Sequence, residues 1–374
     1  MSARIGVIGG GQLAWMMAPA AEKLGLELVI QTPSLEDPAV SIAKDVIIAP
    51  IDDAAATAKL ATKCDLITFE NEFINLAALK LLEEEGVIFR PSVKSLSPLL
   101  DKYHQRCYLR DIGLPVPKFM ANSAENVEGK FGFPLVVKAR RHGYDGQGTF
   151  MIENQGELSK IIQQLNVPLL LEEFVPFERE LAVIAARSLT GEMVIYPVVE
   201  TKQKNQVCHW VIAPANVSLA VNQQIEEIAK TLLEKLEFVG VLGIELFLTQ
   251  TGEVLVNEIA PRTHNSGHYT IDACTVSQFE MQLRAVTGLP LEQPKLKTPG
   301  AVMVNLLGYE HSQDDYHAKR AQLGAREQAY VHWYGKKESH PGRKLGHVTV
   351  LLPEKYEEKQ SLSLLQEVEA MWYE

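Results

Sequence analysis

The sequence predicts an α/β protein in which a parallel sheet covered by helices is followed by a domain of antiparallel hairpins and a small C-terminal domain. Strand and helix patterns alternate in the N-terminal third, and two Thr-Gly turns farther along each separate two β-rich runs. At 374 residues the chain is long enough for two or three cores. The turn-rich stretch 91–98 and the linker-like stretch 292–300 predict domains at 1–98, 99–296 and 297–374.

The N-terminal domain is predicted to be a βαβ series. An amphipathic helix over 12–25 ends at Gly25, and a second helix covers 75–86. Because strands joined by helices run parallel, we expect a parallel sheet here. Its predicted strands cover 4–10, 26–31, 45–50, 64–70 and 87–91.

The middle of the chain has a different pattern. Two strands flank a glycine-rich connection within 133–152, and the runs 181–200 and 243–261 each predict a hairpin. The C-terminal domain contains two further β-rich runs, 301–308 and 345–352.

Composition excludes several classes of function. The net charge of −11 argues against a nucleic-acid partner or an anionic membrane surface. No apolar run reaches the length of a membrane span, and glycines interrupt the start where a signal peptide needs an apolar core. Cys64, Cys107, Cys208 and Cys274 are scattered without metal-ligand spacing, so we expect free thiols and a cytoplasmic protein.

The first glycine loop allows two interpretations. Gly9-x-Gly11-x-x-Ala14, between a strand and a helix, fits the dinucleotide fingerprint. That fingerprint also needs an acid at the end of the second strand, where this chain has Gln31 and Thr32. The alternative is that the glycines only permit a tight turn.

The second hairpin predicts a metal site. If Thr251-Gly252 is a two-residue turn, Glu245 lies opposite Glu258 on one face of the sheet. Two adjacent carboxylates repel each other by about 4 kcal/mol at an effective dielectric near 20. A cation between them relieves this repulsion, and oxygen ligands favour Mg²⁺. The alternatives are a solvated or salt-bridged pair, or a three-residue turn that shifts the register and breaks the pairing.

A phosphate site is predicted farther upstream. Lys138 ends a strand, and the loop from Gly143 to Thr149 exposes backbone N–H groups suited to phosphate oxygens. The apolar strand that ends at Glu172 and Glu173 can offer backbone groups to adenine, and Glu180 can accept from ribose hydroxyls. Each of these signals is weak by itself.

Taken together and in this order, the motifs resemble the ATP-grasp superfamily, and more closely its 5-(carboxyamino)imidazole ribonucleotide synthetases. The resemblance covers nearly the whole chain and implies a Rossmann-like N-terminal domain, an ATP-grasp body with a lid over roughly 115–175, and a small C-terminal domain. It is carried by GGGQLAWMM (9–17), ITFENEF (67–73), DKYHQR (101–106), KARRHGYDGQG (138–148), EEFVPFERELAVI (172–184), NEIAPRTHNSGHYTIDACTVSQFE (257–280) and GRKLGHVTV (342–350).

The resemblance implies an enzyme that uses ATP, Mg²⁺ and bicarbonate to carboxylate the amine of 5-aminoimidazole ribonucleotide through carboxyphosphate, in purine biosynthesis. It also implies a homodimer. Glu245, Asn257 and Glu258 would hold magnesium. The residues implied to bind the nucleotide are Lys102, Lys138, Gly143, Tyr144, Asp145, Gly146, Gln147, Gly148, Thr149, Glu172, Glu173, Phe174, Val175, Glu180, Gln203, Asn257 and Glu258.

On the acceptor side, the resemblance implies that the first glycine loop faces the ribonucleotide. Arg262, His264 and Lys138 are implied as catalytic residues, and His264 either accepts the amine proton or contacts an anion. Zinc binding by His264 and His268 is the alternative for that pair, although Asn-Ser-Gly between them favours a loop. The residues implied to bind the acceptor are Gln12, Leu13, Glu70, Glu72, Asn265, Ser266, Lys336, Arg343 and Lys344.

Four positions, Trp15, Phe73, Thr263 and Gln203, depart from the family pattern, and at the last a glutamine can donate a hydrogen bond but carries no charge. Three other functions remain open. A related ligase could use formate and glycinamide ribonucleotide, the glycine loop could serve a nicotinamide-dependent oxidoreductase, or the chain could be a non-catalytic nucleotide sensor.

Overall fold

The computed structural model describes residues 2–121, 130–141, 148–353 and 358–374, with the side chains of 358 and 359 excepted. The N-terminal sheet has the order β3-β2-β1-β4 with parallel pairs throughout, which confirms the predicted βαβ series. The carboxyl ends of β1 and β4 lie side by side, so the loops that follow them meet. These strands are β1 (Arg4–Ile8), β2 (Glu27–Thr32), β3 (Asp45–Ile48) and β4 (Leu66–Phe69).

Two predictions for this domain were wrong in detail. The single helix over 12–25 is two helices, α1 (Gln12–Trp15) and α2 (Ala18–Leu24). Pro19 lies in the first turn of α2, and because a proline lacks its N–H and its ring collides with the carbonyl four residues earlier, the helix cannot run through it. The predicted strand 87–91 is reduced to one parallel bridge between Ile67 and Phe89.

A second sheet forms in the segment predicted to be the lid. Its order is β5-β8-β6-β7, and all its described pairs are antiparallel. It has its own small core, which includes Val137, Leu158 and Leu171. The strands are β5 (Phe119–Ala121), β6 (Leu135–Ala139), β7 (Thr149–Ile152) and β8 (Leu169–Glu173).

The third sheet has nine strands in the described part of the chain and contains both predicted hairpins. Its order is β14-β13-β9-β11-β12-β15-β17-β16, and β10 also pairs with β9. Because β12 pairs with β15, the sheet continues across the predicted boundary at 296/297. Its strands are β9 (Phe177–Arg187), β10 (Met193–Ile195), β11 (Val199–Lys204), β12 (Val207–Ala213), β13 (Gly240–Thr249), β14 (Val254–Ala260), β15 (Ala301–Leu307), β16 (Ala329–Trp333) and β17 (Lys344–Leu351).

Helices cover the sheets and close the cores. The longest, α8 (Leu219–Leu236), packs Ile225, Leu232 and other apolar residues into the largest core, and the C-terminal helix α12 (Glu358–Tyr373) buries Trp372 in another. Among the described residues, no helix combines the length and the apolar character needed to cross a membrane. The remaining helices are α3 (Ala54–Ala61), α4 (Leu76–Glu84), α5 (Val93–Leu96), α6 (Lys102–Asp111), α7 (Gln155–Leu165), α9 (Thr270–Ala273), α10 (Gln278–Thr287) and α11 (His317–Gly324), with the 3₁₀ turns Pro38–Ile42 and Asn265–Gly267.

Candidate functional site

A cavity of about 1390 Å³ lies where the three sheets meet. Most of the predicted site residues that the structure describes line it. They are Gln12, Leu13, Glu70, Glu72, Lys102, Lys138, Thr149, Glu172, Glu173, Phe174, Val175, Glu180, Gln203, Glu245, Asn257, Glu258, Arg262, His264, Asn265, Lys336, Arg343 and Lys344.

Several predicted residues lie elsewhere. Gly148 and Ser266 are not part of the cavity wall, and Ser266 is buried behind it with its hydroxyl 2.9 Å from His264 Nδ1. The predicted nucleotide-binding residues Gly143, Tyr144, Asp145, Gly146 and Gln147 lie outside the described residues.

The hairpin of β13 and β14 pairs Glu245 with Glu258, as the sequence predicts, but for a different reason. Thr249 N donates to Glu253 O across a loop of three residues, 250–252, so the register is shifted by one. A β-bulge at Asn257 then shifts it back, because Leu246 pairs with Val256 and Glu245 with Glu258. The extra loop residue and the bulge residue shift the register in opposite directions, so the two carboxylates remain opposite each other.

The bulge also brings the Asn257 side chain into the site. Its Oδ1 accepts from Lys138 Nζ at 3.1 Å, and its Nδ2 lies 3.4 Å from Glu245 Oε2. Glu258, the next residue of β14, forms an ion pair with Lys102. Amide, carboxylate and ammonium groups therefore meet at one point on the cavity wall.

A cation cluster, formed by Arg106, Lys138 and the carboxylate of Glu172, lies next to this hairpin. Arg106 Nε forms an ion pair with Glu172, and Lys138 Nζ lies 2.7 Å from the other carboxylate oxygen. Arg106 also donates to Asn257 O at 2.6 Å, which ties the cluster to the bulge. All three side chains of the cluster are buried.

The two groups of carboxylates have opposite electrostatics. Burial disfavours the charged form of Glu172, but Arg106 and Lys138 outweigh it and lower the pKa of this carboxyl to about 2. Burial raises the pKa of Glu245 to about 7, and the charges of Glu258 and Glu180 act in the same direction. Lys102 and Lys138 act in the opposite direction on the pKa of Glu245 but do not offset the effect of burial. The oxygen atoms of Glu245, Glu258 and Asn257 fit a hard divalent ion such as Mg²⁺.

The predicted ribose contacts lie at the edge of the same wall. Gln203 follows a register shift between β11 and β12, and its backbone N–H donates to Glu180 Oε2 at 3.2 Å. Burial raises the pKa of Glu180. The backbone N–H of Gln203 holds the Glu180 carboxylate toward the cavity. This hydrogen bond does not depend on the glutamine side chain.

The glycine loop encloses a carboxylate of the chain itself. The backbone N–H groups of Gly11 and Leu13 point to the carboxylate of Glu70, and a Cβ at Gly9 or Gly11 would collide with it. Burial raises the pKa of Glu70 to about 7. The amides that a dinucleotide pyrophosphate needs are therefore occupied by Glu70.

The position where the fingerprint requires an acid is also internal. Gln31 is fully buried, donates to Pro50 O at 2.8 Å and accepts from the Thr57 hydroxyl at 2.9 Å. Because Gln31 is buried and both ends of its amide are bonded within the domain, its side chain is not presented to a ribose. Both observations argue against the dinucleotide interpretation.

At the acceptor end, Arg262, which follows β14, forms an ion pair with Glu72 at 2.9 Å. This pair joins the end of β14 to the segment that follows β4. The Nε atom of Arg262 is buried and has no hydrogen-bond partner among the described residues. His264 Nε2 lies 3.5 Å from Glu245 Oε1. Because Ser266 N donates to His264 Nδ1, the neutral ring carries its proton on Nε2, on the side of Glu245.

A basic loop between β16 and β17 forms the opposite wall. Lys336 Nζ donates to Lys344 O at 2.8 Å and lies over the Tyr334 ring, while Arg343 donates to Glu338 O. These contacts bring Lys336, Arg343 and Lys344 together beside the cavity. Three positive side chains on one loop suit a phosphate group.

Zinc binding by His264 and His268 is not supported. His268 is fully buried, and its Nδ1 lies 3.1 Å from Gln278 Nε2, whereas His264 faces Glu245. In the described part of the chain, the one group of three His, Cys, Asp or Glu side chains whose ligand atoms lie within 4.8 Å of one another is Asp272, His332 and His347, which includes neither residue. There, His332 pairs with Asp272 and stacks on His347, whose Nδ1 meets the Tyr334 hydroxyl.

Sequence reasoning missed Arg106. It lies four residues after Lys102 in α6, and residues at this spacing share a helix face, so the predicted phosphate role of Lys102 could have drawn attention to it. The capping carboxylate of Asp101 accepts from the first-turn amides of α6 and from Arg140 at 2.9 Å, which fixes the helix that carries both cations.

Three family models match the chain. A ribonucleotide synthetase preATP-grasp domain matches residues 1–98, an ATP-grasp domain matches 107–279, and a phosphoribosylaminoimidazole carboxylase C-terminal domain matches 301–361. The first match contains the parallel sheet, and the second contains the whole second sheet together with β9–β14 of the nine-stranded sheet. The third contains β15–β17 of that same sheet.

Individual proteins are similar over almost the full length. The N5-carboxyaminoimidazole ribonucleotide synthase of Synechococcus elongatus is 54% identical, over 98% of this chain and 95% of its own. The crystal structure of the Thermotoga maritima synthetase is 39% identical with a TM-score of 0.88, over 99% and 98% of the two chains. The Aspergillus clavatus enzyme, solved with ADP and 5-aminoimidazole ribonucleotide, is 32% identical with a TM-score of 0.89, over 98% of each chain.

Proposed function

We propose that this chain, which belongs to the N5-carboxyaminoimidazole ribonucleotide synthase family, carboxylates the amine of 5-aminoimidazole ribonucleotide with ATP and bicarbonate. It is an ATP-dependent ligase of purine biosynthesis. The observation that carries the proposal is that one cavity is lined at one end by the cation cluster and carboxylate hairpin, and at the other by the basic loop.

The reaction has two steps in this proposal. A bicarbonate oxygen attacks the γ-phosphorus of ATP, and the bond to the β-phosphate oxygen breaks to give carboxyphosphate and ADP. The exocyclic amine of the ribonucleotide then attacks the carboxyl carbon, phosphate leaves, and the amine loses a proton. Because carboxyphosphate hydrolyses readily, both substrates must react in one closed cavity.

At the nucleotide end, Lys102 and Lys138 bind phosphate oxygens, and Glu245, Glu258 and Asn257 hold Mg²⁺. When bound, the ion neutralises charge on the phosphoryl oxygens during transfer. Arg106 holds Glu172 and the bulge in place, so Lys138 stays directed at the phosphates. Glu180 accepts from the ribose, and the strand end from Glu173 to Val175 lies beside the base.

At the acceptor end, Lys336, Arg343 and Lys344 bind the 5′-phosphate, and Gln12, Leu13 and Asn265 contact the rest of the ribonucleotide. Arg262 binds the carboxyl group, since it lines the cavity and its ion pair with Glu72 holds it there. His264 carries its proton on Nε2 in the neutral tautomer, which favours donation to an anion over acceptance of the amine proton.

The decisive experiment measures ADP release with Mg-ATP and bicarbonate, with and without 5-aminoimidazole ribonucleotide. We expect strong stimulation by the ribonucleotide, lost in Glu258→Gln. Stimulation by glycinamide ribonucleotide and formate instead would favour the related ligase. ATP binding without turnover in either mixture would favour a sensor, and tight NADH binding would favour the oxidoreductase.

The same preparation tests the proposed homodimer. We expect a sedimentation mass of twice the chain mass of 41.6 kDa, and a monomer at assay concentrations would contradict it.

A further inference from the structure

Gln278 is a buried amide directly behind the acceptor end of the cavity. It is the first residue of α10, and its side chain is fully inaccessible to solvent. Its Oε1 accepts from His264 N at 2.9 Å, and its Nε2 donates to His264 O at 2.7 Å. One side-chain amide thus satisfies both backbone groups of His264, in the way that a neighbouring strand would.

The same amide fixes a second histidine. Because the His264 N–H is a donor, the amide oxygen must face it, so the NH₂ group faces His264 O and His268 Nδ1, 3.1 Å away. His268 Nδ1 is therefore an acceptor. The loop from His264 to His268 is held at both ends by one side chain.

Packing leaves His264 little freedom to compensate. A Cβ at Gly243, on the metal strand β13, would lie 2.5 Å from His264 Cβ. A Cβ at Gly267 would lie 2.6 Å from Gln278 Oε1. The two glycines let β13 and the loop close on each other, and the imidazole comes to lie 3.5 Å from Glu245.

We propose that Gln278 is a positioning residue for the carboxyl-transfer step, because its amide fixes the backbone of His264 and so holds the imidazole between the metal strand and the acceptor. This inference rests on the role of His264 in the proposed function. Gln278 does not line the cavity and acts only through His264. Misplacing a reacting group by about 1 Å can cost about a hundredfold in rate.

The chain supplies a matched control one helical turn later. Gln282 lies on the same helix, is buried to the same degree, and also uses both ends of its amide. Its Oε1 accepts from Val241 N at 2.6 Å and its Nε2 donates to Thr68 Oγ1 at 2.8 Å. It joins α10 to β13 and β4 but makes none of the described contacts with the His264 loop.

The experiment compares Gln278→Met with Gln282→Met, since methionine keeps the side-chain volume and removes the hydrogen bonds. We expect similar losses of stability in urea unfolding. Only Gln278→Met should lower kcat for carboxylation, by about tenfold to a hundredfold with the KM for ATP unchanged. Equal kcat values in the two variants would overturn the inference.

Two further measurements separate this inference from the proposed function. In Gln278→Met/His264→Ala the rate should be no lower than in His264→Ala, because a residue that acts through His264 adds nothing once the imidazole has been removed. A further loss would contradict the inference.

Histidine-selective NMR, with His264→Ala identifying the signal, should show a shifted His264 resonance in Gln278→Met alone. An unshifted signal contradicts positioning even if the acceptor is another molecule, whereas absent ribonucleotide stimulation in the unmodified protein contradicts only the proposed function.

Discussion

The cation cluster and the carboxylate hairpin face the same cavity and share Asn257, yet they differ in electrostatic completeness. In the cluster, Glu172 has two cations within the protein, and its pKa falls to about 2. In the hairpin, burial and then the charges of Glu258 and Glu180 raise the pKa of Glu245 to about 7. The charge of Glu172 is compensated within the chain, whereas in the proposed function a bound Mg²⁺ would supply positive charge to the hairpin.

The largest effect expected from this difference is on stability, in Glu172→Gln. Removing one partner of a buried ion pair leaves Arg106 and Lys138 uncompensated, which costs about 3–5 kcal/mol. Urea unfolding at neutral pH measures the change. A loss below about 1 kcal/mol, the range of exposed pairs, would mean that solvent already compensates these cations.

The second-largest effect is expected in Glu245→Gln, and it is an effect on activity and not on stability. Removal of this proposed Mg²⁺ ligand should lower Mg²⁺-dependent turnover by more than about a hundredfold, since loss of groups behind the ligands of a metal site already costs about 10–100-fold. Stability without Mg²⁺ should not fall, because the substitution removes a like charge opposite Glu258. Full activity would show that Glu258 and Asn257 suffice for the ion.

The third effect is a pH dependence with opposite sign in the two regions. Glu172 stabilises the fold at pH values above the ordinary carboxyl value of 4.5, and this contribution is lost as the pH falls toward 2. For Glu245 the folded state binds the proton more tightly, so stability without Mg²⁺ falls as the pH rises from 4.5 to 7.

Comparison of Glu245→Gln with the unmodified protein isolates the second contribution. The two should be equally stable at pH 4, below the ordinary carboxyl value, and the variant should be more stable at pH 8 by about 1–3 kcal/mol, since each pKa unit corresponds to about 1.4 kcal/mol. Saturating Mg²⁺ should reverse the order at pH 8 by binding the unmodified protein. A stability difference that is independent of pH would contradict the raised pKa.

The hairpin also shows how far sequence reasoning reaches. The pairing of Glu245 with Glu258 was predicted from a two-residue turn, but the loop has three residues, and the bulge at Asn257 restores the register. Turn length depends on local backbone geometry that Thr-Gly alone does not determine. A bulge depends on the neighbouring strand and helix, here on Arg106 donating to Asn257 O.

Contacts between distant segments were the least predictable. The fold class and the parallel pairing of the N-terminal sheet follow from the alternation of strand and helix patterns, and Pro19 gave a local signal for the helix break. The ion pair between Arg106 and Glu172 joins α6 to β8 of the second sheet. No rule of sequence spacing relates two such distant positions. Glu70 inside the glycine loop is similar, because the glycines indicate a close approach but not the group that approaches.

The smallest effect is expected at Glu173, which follows Glu172 in β8 and so faces the other side of the sheet. Its partner Lys118 is largely exposed, with Nζ 3.1 Å from the carboxylate. Glu173→Gln should cost at most about 1 kcal/mol, and the amide oxygen can still accept from Lys118 N–H. Added salt should abolish this cost and leave that of Glu172→Gln, since buried pairs are screened much less. Equal, salt-insensitive costs at both positions would mean that strand pairing, not burial between two cations, determines the stability of the cluster.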